Sequence, residues 1–448
     1  ARRISALFAL WLWLELDIFR TSERYFKQRE KEMMRINPFE LQPKKVEEGI
    51  KDWLNTYPKP YDKQTVDPYT KIRIILMNGI EVEEVIFKHE FHRMCQDNDL
   101  RRELALTRRI EQQQQKRINW LKPIDEKVIE TAIGYEHLAT DLTAWLALNE
   151  PDPYVKQALD FALLEDFDHL YRFANLLNLD EQIPAEQLVR KYVDIIPGRP
   201  TIAEHRHPFD SPRNPIDFKA ADNRTKLNSL IIVAAEQQTM NFYMNLGPYY
   251  YTDLGRQLYL EIAMIEEQHV THYGSLLDPK CTWLENMLLH EYMECYLYYS
   301  FYEDEVDPYI KTIWEMHFEQ EVAHLHKAAE LLAKYENKQW QQVIPDGIFP
   351  KLLHFQDTRD YVRKVLGEQI LLTANRENYV NVQTLPRDHE FFSYQNTVNH
   401  DVATVPSHVT VARHQQQYNT DYRSESAPHP VEALRDRTTD NTSIARVP

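Results

Sequence analysis

Twelve positions of the chain carry side chains that could act together on a metal. A Glu on one apolar-periodic segment is followed 30 residues later by an acid on the next, and this happens four times: Glu81 with Glu111, Glu136 with Asp166, Glu236 with Glu266, and Glu291 with Glu321. Three of the second acids have a His three residues on, giving Asp166-x-x-His169, Glu266-x-x-His269 and Glu321-x-x-His324; the first has Gln114 in that place. On a helix, positions i and i+3 share one face about 5–6 Å apart, so carboxylate and imidazole can ligate one ion. At ~1.5 Å of rise per residue, a 30-residue step that finishes one helix, turns and descends the next returns the second acid to the height of the first. Two such hairpins face to face would present four carboxylates and two imidazoles around one buried point. That donor mixture suits iron or manganese, with zinc a poorer fit. Four carboxylates can offset two divalent cations, whereas without metal they would repel one another inside a core.

The segments that must carry these residues form a repeat. A shift of 155 residues aligns 70–181 with 225–336 without a gap, with about 20 identities in 112 positions. Asp152-Pro153-Tyr154-x-Lys156 matches Asp307-Pro308-Tyr309-x-Lys311, and His169-Leu170 matches His324-Leu325. Each copy reads as four helices: 70–95, 99–121, 125–149 and 154–178, then 225–246, 253–277, 282–305 and 309–336. Their breaks fall at Asp97-Asn98-Asp99, Pro123 and Pro151-Asp152-Pro153, which are helix stops and N-caps. Around them, 1–69 is a long N-terminal helix followed by a Pro- and Tyr-rich connector, and 182–224 is a Pro-rich crossover. Residues 337–385 read as a helical extension, and 386–448 as a polar tail, extended or disordered for want of apolar residues to bury.

A Glu on one helix and Glu-x-x-His on the next resembles the half-site of the ferritin-like di-iron carboxylate superfamily. The resemblance covers the eight helices and leaves out the terminal segments and connectors. It implies an all-α fold of tandem-duplicated ferritin-like bundles, with an N-terminal helix and an irregular C-terminal tail. It also implies two iron ions, or manganese, per intact site, and an oxidase, oxygenase or peroxide-reducing activity on a substrate the sequence does not name. By the same resemblance the Glu of each Glu-x-x-His bridges the ions and the His is a terminal ligand. Two pairings of hairpins stay open. Adjacent pairing gathers Glu236, Glu266, His269, Glu291, Glu321 and His324. Crossover pairing gathers Glu136, Asp166, His169, Glu236, Glu266 and His269, and leaves Glu81, Glu111 and Gln114 with Glu291, Glu321 and His324 in an altered set. The family's long crossover between hairpins favours the second, because 182–224 is the one long connection among the eight segments.

Composition narrows the rest. Lys plus Arg number 52 and Asp plus Glu 69, so the net charge is −17 and a phosphate-backbone partner is not expected. Nine Gly in 448 residues is about 2%, against a usual ~7%, which disfavours turn-rich β folds. Cys95, Cys281 and Cys295 form no CxxC pair, which fits a reducing, cytoplasmic setting. No rubredoxin-like CxxC knuckle is present, so an external electron donor is expected. The apolar run Ala6–Leu14 is shorter than the ~18–20 residues a membrane span requires. It reads as an oligomerisation helix that, with the tail, makes a homodimer or larger assembly, although residues 4–14 could touch a membrane surface. His89, His92, His137, His272, His290, His317 and His326 read as hydrogen-bonded helix residues, and Tyr292, Tyr296, Tyr298, Tyr299 and Tyr302 as core rather than an electron relay. The competing functional classes are a metal-stabilised assembly subunit and an iron-handling ferritin-like protein.

Overall fold

The computed structural model describes residues 36–199, 203–211, 214–419 and 423. The helix expected over residues 1–35 lies outside them, as does most of the chain after 419. Among the described residues the fold is all-α apart from one short hairpin. Eight long helices form the body: α1 (Pro68–Met94), α2 (Asn98–Asn119), α3 (Val128–Asn149), α4 (Pro153–Glu181), α5 (Asn223–Leu246), α6 (Asp253–Gly274), α7 (Trp283–Asp304) and α8 (Pro308–Glu336).

Their ends follow from local chemistry. Asp67, Asp152 and Asp307 cap α1, α4 and α8, each accepting a first-turn backbone N–H, and a Pro follows at the first helical position. A side-chain acceptor and a pre-set φ together fix such a start. α4 and α8 are both 29 residues long and both stop at a left-handed residue, Gln182 (φ 56°) and Asn337 (φ 53°).

The helices pack as hairpins, α1 with α2, α3 with α4, α5 with α6 and α7 with α8. The four first helices meet at the centre, α4 approaches α6, and α2 approaches α8. The crossover therefore joins α3–α4 to α5–α6 in one bundle, and α7–α8 closes against α1–α2 in the other. Two buried carboxylates tie these pairs together. Glu150, after α3, accepts from Thr225 Oγ1 and Asn228 Nδ2 on α5, while Glu305, after α7, accepts from Thr70 Oγ1 and Arg73 on α1. Residues Ile129–Ala147 of α3 are buried without a break, as expected of a helix enclosed on all sides. Among the described residues no helix is long and apolar enough to cross a membrane.

The terminal segments differ from the sequence expectation. Within 337–385, helix α9 (Arg359–Gln369) is followed by an antiparallel hairpin, β1 (Leu372–Asn375) with β2 (Asn378–Asn381), Thr373 opposite Val380. Part of the tail expected to be extended or disordered folds as α10 (Glu390–Asn399) and α11 (Pro406–Tyr418), α11 lying on α4 and α6. Polar contacts hold it: Ser407 N–H donates to Glu261, His414 bonds Asn178 Oδ1 at 2.8 Å, and Arg423 pairs with Glu186. A segment anchored by buried polar partners carries little apolar signal, which is why composition alone pointed the other way.

Candidate metal centre

Each hairpin brings its acids to one level. Glu136 on α3, Asp166 and His169 on α4, Glu236 on α5, and Glu266 and His269 on α6 converge, and none is more than 1% exposed. His169 Nδ1 lies 2.8 Å from Glu266 Oε1 and 3.9 Å from Glu136 Oε2. His269 Nδ1 lies 3.1 Å from Asp166, 3.2 Å from Glu266 and 3.5 Å from Glu236. Two groups of candidate ligand atoms result, each within 4.8 Å of one another: Asp166, Glu236, Glu266 and His269, and Glu136, His169 and Glu266. Glu266 belongs to both groups. Glu291, Glu321 and His324 do not join this set, so the adjacent pairing is not the one formed.

The donor set fits a metal. Both oxygens of Asp166 and of Glu236, one oxygen each of Glu136 and Glu266, and His269 Nδ1 are buried without a hydrogen-bond partner. Native interiors pair nearly all such atoms, so seven orphans around one point are compatible with a metal-binding set. Burial pushes Glu136 and Glu236 well above the usual carboxylate range, helped by the neighbouring acids. Burial also acts to raise Glu266, but the His169 and His269 imidazoles override it and hold this carboxyl well below its usual range.

A further layer stands behind the histidines. His269 Nε2 is 2.7 Å from Glu165, and His169 Nε2 is 3.7 Å from Glu204 of the crossover. His269 thus has one nitrogen on an outer carboxylate and the other facing the centre, the arrangement by which ligating histidines are oriented, whereas His169 Nε2 is not hydrogen-bonded to Glu204. Arg199 and Arg206, both buried, lie 3.4 and 3.7 Å from Glu165. Against burial, Arg206 and then His269 hold the Glu165 carboxyl down at about 2.

The second set is built differently. Glu81 on α1, Glu111 and Gln114 on α2, Glu291 on α7, and Glu321 and His324 on α8 also converge and are buried. Lys88 of α1, wholly buried, enters among them. Its Nζ lies 2.6 Å from Glu291 and 2.9 Å from Glu84, and it donates to Glu111. Gln114 Nε2 donates to Glu321 and the Tyr298 hydroxyl to Glu81. In the first set the only comparable donor among the described residues is Tyr243, whose hydroxyl bonds Glu136.

Of the other histidines, His290 lies 3.0 Å from Glu83 and groups with Glu83 and Glu84 as a further possible ligand set, and His317 bonds the Tyr298 hydroxyl beside the second set. His272 contacts Arg206 and the Ala158 carbonyl, His137 contacts Asp141, and His326 the Pro38 carbonyl. Tyr292 and Tyr296 donate to backbone carbonyls of Ile348 and Lys351, as core tyrosines do. Sequence reasoning missed Lys88, Tyr243, Glu165 and Glu204. Lys88 and Tyr243 each lie two helical turns beyond a candidate ligand (Glu81 and Glu236) and are equivalent under the 155-residue shift, which was the available signal. Glu204, in an aperiodic connector, gave none.

A cavity of about 850 Å³ opens beside α5 and α6. Tyr243, Met244, Leu260 and Met264 line it, with His205 and Arg206 of the crossover. Tyr243 thus reaches from the cavity wall to the Glu136 carboxylate. No family model, no curated protein and no solved structure matches the chain.

Proposed function

We propose that Glu136, Asp166, His169, Glu236, Glu266 and His269 hold a dinuclear iron or manganese centre, and that the protein is an oxidoreductase of ferritin-like design. The observation that carries this is the cluster of seven unpartnered buried ligand atoms in two groups sharing Glu266. When bound, such a centre supplies redox chemistry toward O₂ or peroxide. The matched lengths of α4 and α8, and the paired Thr225–Glu150 and Thr70–Glu305 contacts, support a duplicated origin.

The chain's own residues set the conditions. Glu165 orients the His269 imidazole so that Nδ1 faces the centre. Protons held on the imidazoles and on Glu136 and Glu236 leave when a cation binds, since ligands must be deprotonated. Burial of all six residues excludes bulk water. The cavity, within the ~300–1,000 Å³ typical of small-molecule sites, would admit a largely apolar substrate against Met244, Leu260 and Met264, and Tyr243 joins it to Glu136. The three unpaired cysteines accord with a reducing, cytoplasmic setting and an external electron donor.

The test is metal content per chain on anaerobically purified protein, beside His269→Ala, followed by O₂ and peroxide consumption. About two iron or manganese ions, lost in the variant together with turnover, is the expected result. A well-folded wild type that takes up no metal would refute the reading.

A further inference from the structure

We infer that the second set of acids, Glu81, Glu111, Glu291 and Glu321 with Gln114 and His324, takes no metal, because Lys88, Gln114 and Tyr298 supply from within the protein the donors that ions would replace. The argument compares positions related by the 155-residue shift. Under it Glu111, Glu291 and His324 correspond to Glu266, Glu136 and His169, one of the two ligand groups of the first set. Lys88 Nζ is bonded to two of those three, Glu111 and Glu291, so an ammonium stands where an ion would have to bind them.

The other ligand group of the first set, Asp166, Glu236, Glu266 and His269, corresponds to Glu321, Glu81, Glu111 and Gln114. There the imidazole is replaced by an amide that donates to Glu321, and the Tyr298 hydroxyl donates to Glu81. Each of the four ligand-position carboxylates therefore already accepts a proton donor of the chain through one oxygen, Glu81, Glu111 and Glu291 keeping the other unpartnered. The contrast with the first set is direct: Asp166 and Glu236 have both oxygens unpartnered. There Thr143, whose hydroxyl is buried and unpartnered, occupies the position of Tyr298, and Tyr243 occupies that of Lys88.

Two carboxyls have no counterpart in the first set. Glu84 lies against Lys88, and Glu294, one turn beyond Glu291, has both oxygens unpartnered. Single unpartnered oxygens also remain on Glu81, Glu111, Glu291 and Gln114, and Glu111, Glu291 and His324 lie within 4.8 Å of one another, but the Lys88 ammonium bonded to Glu111 and Glu291 puts a positive charge where a cation would have to sit. Lys88 joins α1 to α2 through Glu111 and to α7 through Glu291, so it acts as the cation that holds this bundle closed.

The experiment is equilibrium dialysis of the full chain, stripped with chelator, against Mn²⁺, with bound metal counted by mass spectrometry. His324→Ala leaves the wild-type count unchanged; loss of one or more ions in that variant overturns the inference. In the opposite direction, Lys88→Tyr with Gln114→His installs the residues of the first set and adds up to two Mn²⁺ per chain. A folded double variant, checked by its thermal transition, that adds none overturns it as well. If the double variant fails to fold, the His324→Ala count decides. A wild type without Mn²⁺, beside a double variant that gains it, removes the proposed function of the first set while leaving this inference standing.

Discussion

Glu165→Gln separates the orientation of a ligand from its presence. Glu165 Oε2 lies 2.7 Å from His269 Nε2 and does not belong to either group of candidate ligands. Replacing the carboxylate with an amide of the same shape weakens the hold on the tautomer that leaves Nδ1 free to bind. Removal of such an outer partner costs 10–100-fold in metal affinity, or about 1.4–2.7 kcal/mol. The same substitution takes the counter-charge from Arg199 and Arg206, both buried. A buried charge left unpaired costs about 3–5 kcal/mol, so the loss of apo-protein stability should exceed the loss of metal affinity. Urea unfolding of the metal-free protein reads the first term, and chelator-competition titration with Mn²⁺ reads the second. Saturating metal adds RT ln(1 + [L]/Kd) to stability, so the wild type gains more from metal than the variant by that same 1.4–2.7 kcal/mol or so. An unchanged Mn²⁺ affinity in a folded Glu165→Gln protein would refute the claim that His269 binds through Nδ1.

Three further outcomes follow from the packing. Thr225→Val removes a donor from the largely buried Glu150 and should destabilise by about 1–3 kcal/mol; Thr70→Val, against Glu305, should do the same, both read by urea unfolding, and values under ~0.5 kcal/mol would show that these pairs do not tie the bundles. Burial pushes the Glu261 carboxyl up from 4.5 to about 7, while the Ser407 amide and hydroxyl pull it down. The folded state keeps this proton to higher pH than the unfolded chain, so stability is full below pH 4.5 and falls as pH rises to about 7, by up to roughly 3 kcal/mol. Amide exchange in α11 should therefore speed up across that window, and Glu261→Gln should flatten the response. Met264→Trp should fill the cavity beside α5 and α6, weakening binding of an apolar fluorescent dye at least ~10-fold, the loss expected when a filled pocket denies a ligand about 1.4 kcal/mol, with the metal count unchanged.

Residues that repeat on one helix face were legible from the sequence, and residues that complete the site from elsewhere were not. Asp166-x-x-His169 and Glu266-x-x-His269 announce themselves because a helix turns spacing into direction. The 30-residue step placed Glu136 and Glu236 at the same level because hairpin arms of similar length return the chain to the same height. The choice between pairings needed a connection length, and only the 182–224 crossover is long enough to have carried that information. Glu165 sits next to Asp166 yet reaches a histidine of α6, and Glu204 comes from a connector without period; neither has a local signature. Helix α11 was hidden for a related reason, since buried polar contacts such as Ser407 with Glu261 anchor it.

Lys88 shows where periodic reading stops being sufficient. A lysine two turns beyond a glutamate on a long helix is the ordinary pattern of a solvated face, and Glu84 four residues before it looks like a surface i,i+4 pair. Burial reverses the meaning of the same letters. With Lys88 and Glu84 both 0% exposed, the ammonium is tolerable only because Glu111 and Glu291 of neighbouring helices complete its environment, as a buried charge requires. Those carboxylates in turn are tolerable without metal only because the ammonium is there. The first set has no such internal cation from its own hairpins: Tyr243 and Thr143 stand in the corresponding positions, and neither brings a positive charge. Under the proposed function, two sets of similar carboxylates thus solve one electrostatic problem in opposite ways. The residues of the second set that distinguish it, at positions 88, 114 and 298, lie on three different helices, so their joint effect appears only when the hairpins are placed against each other.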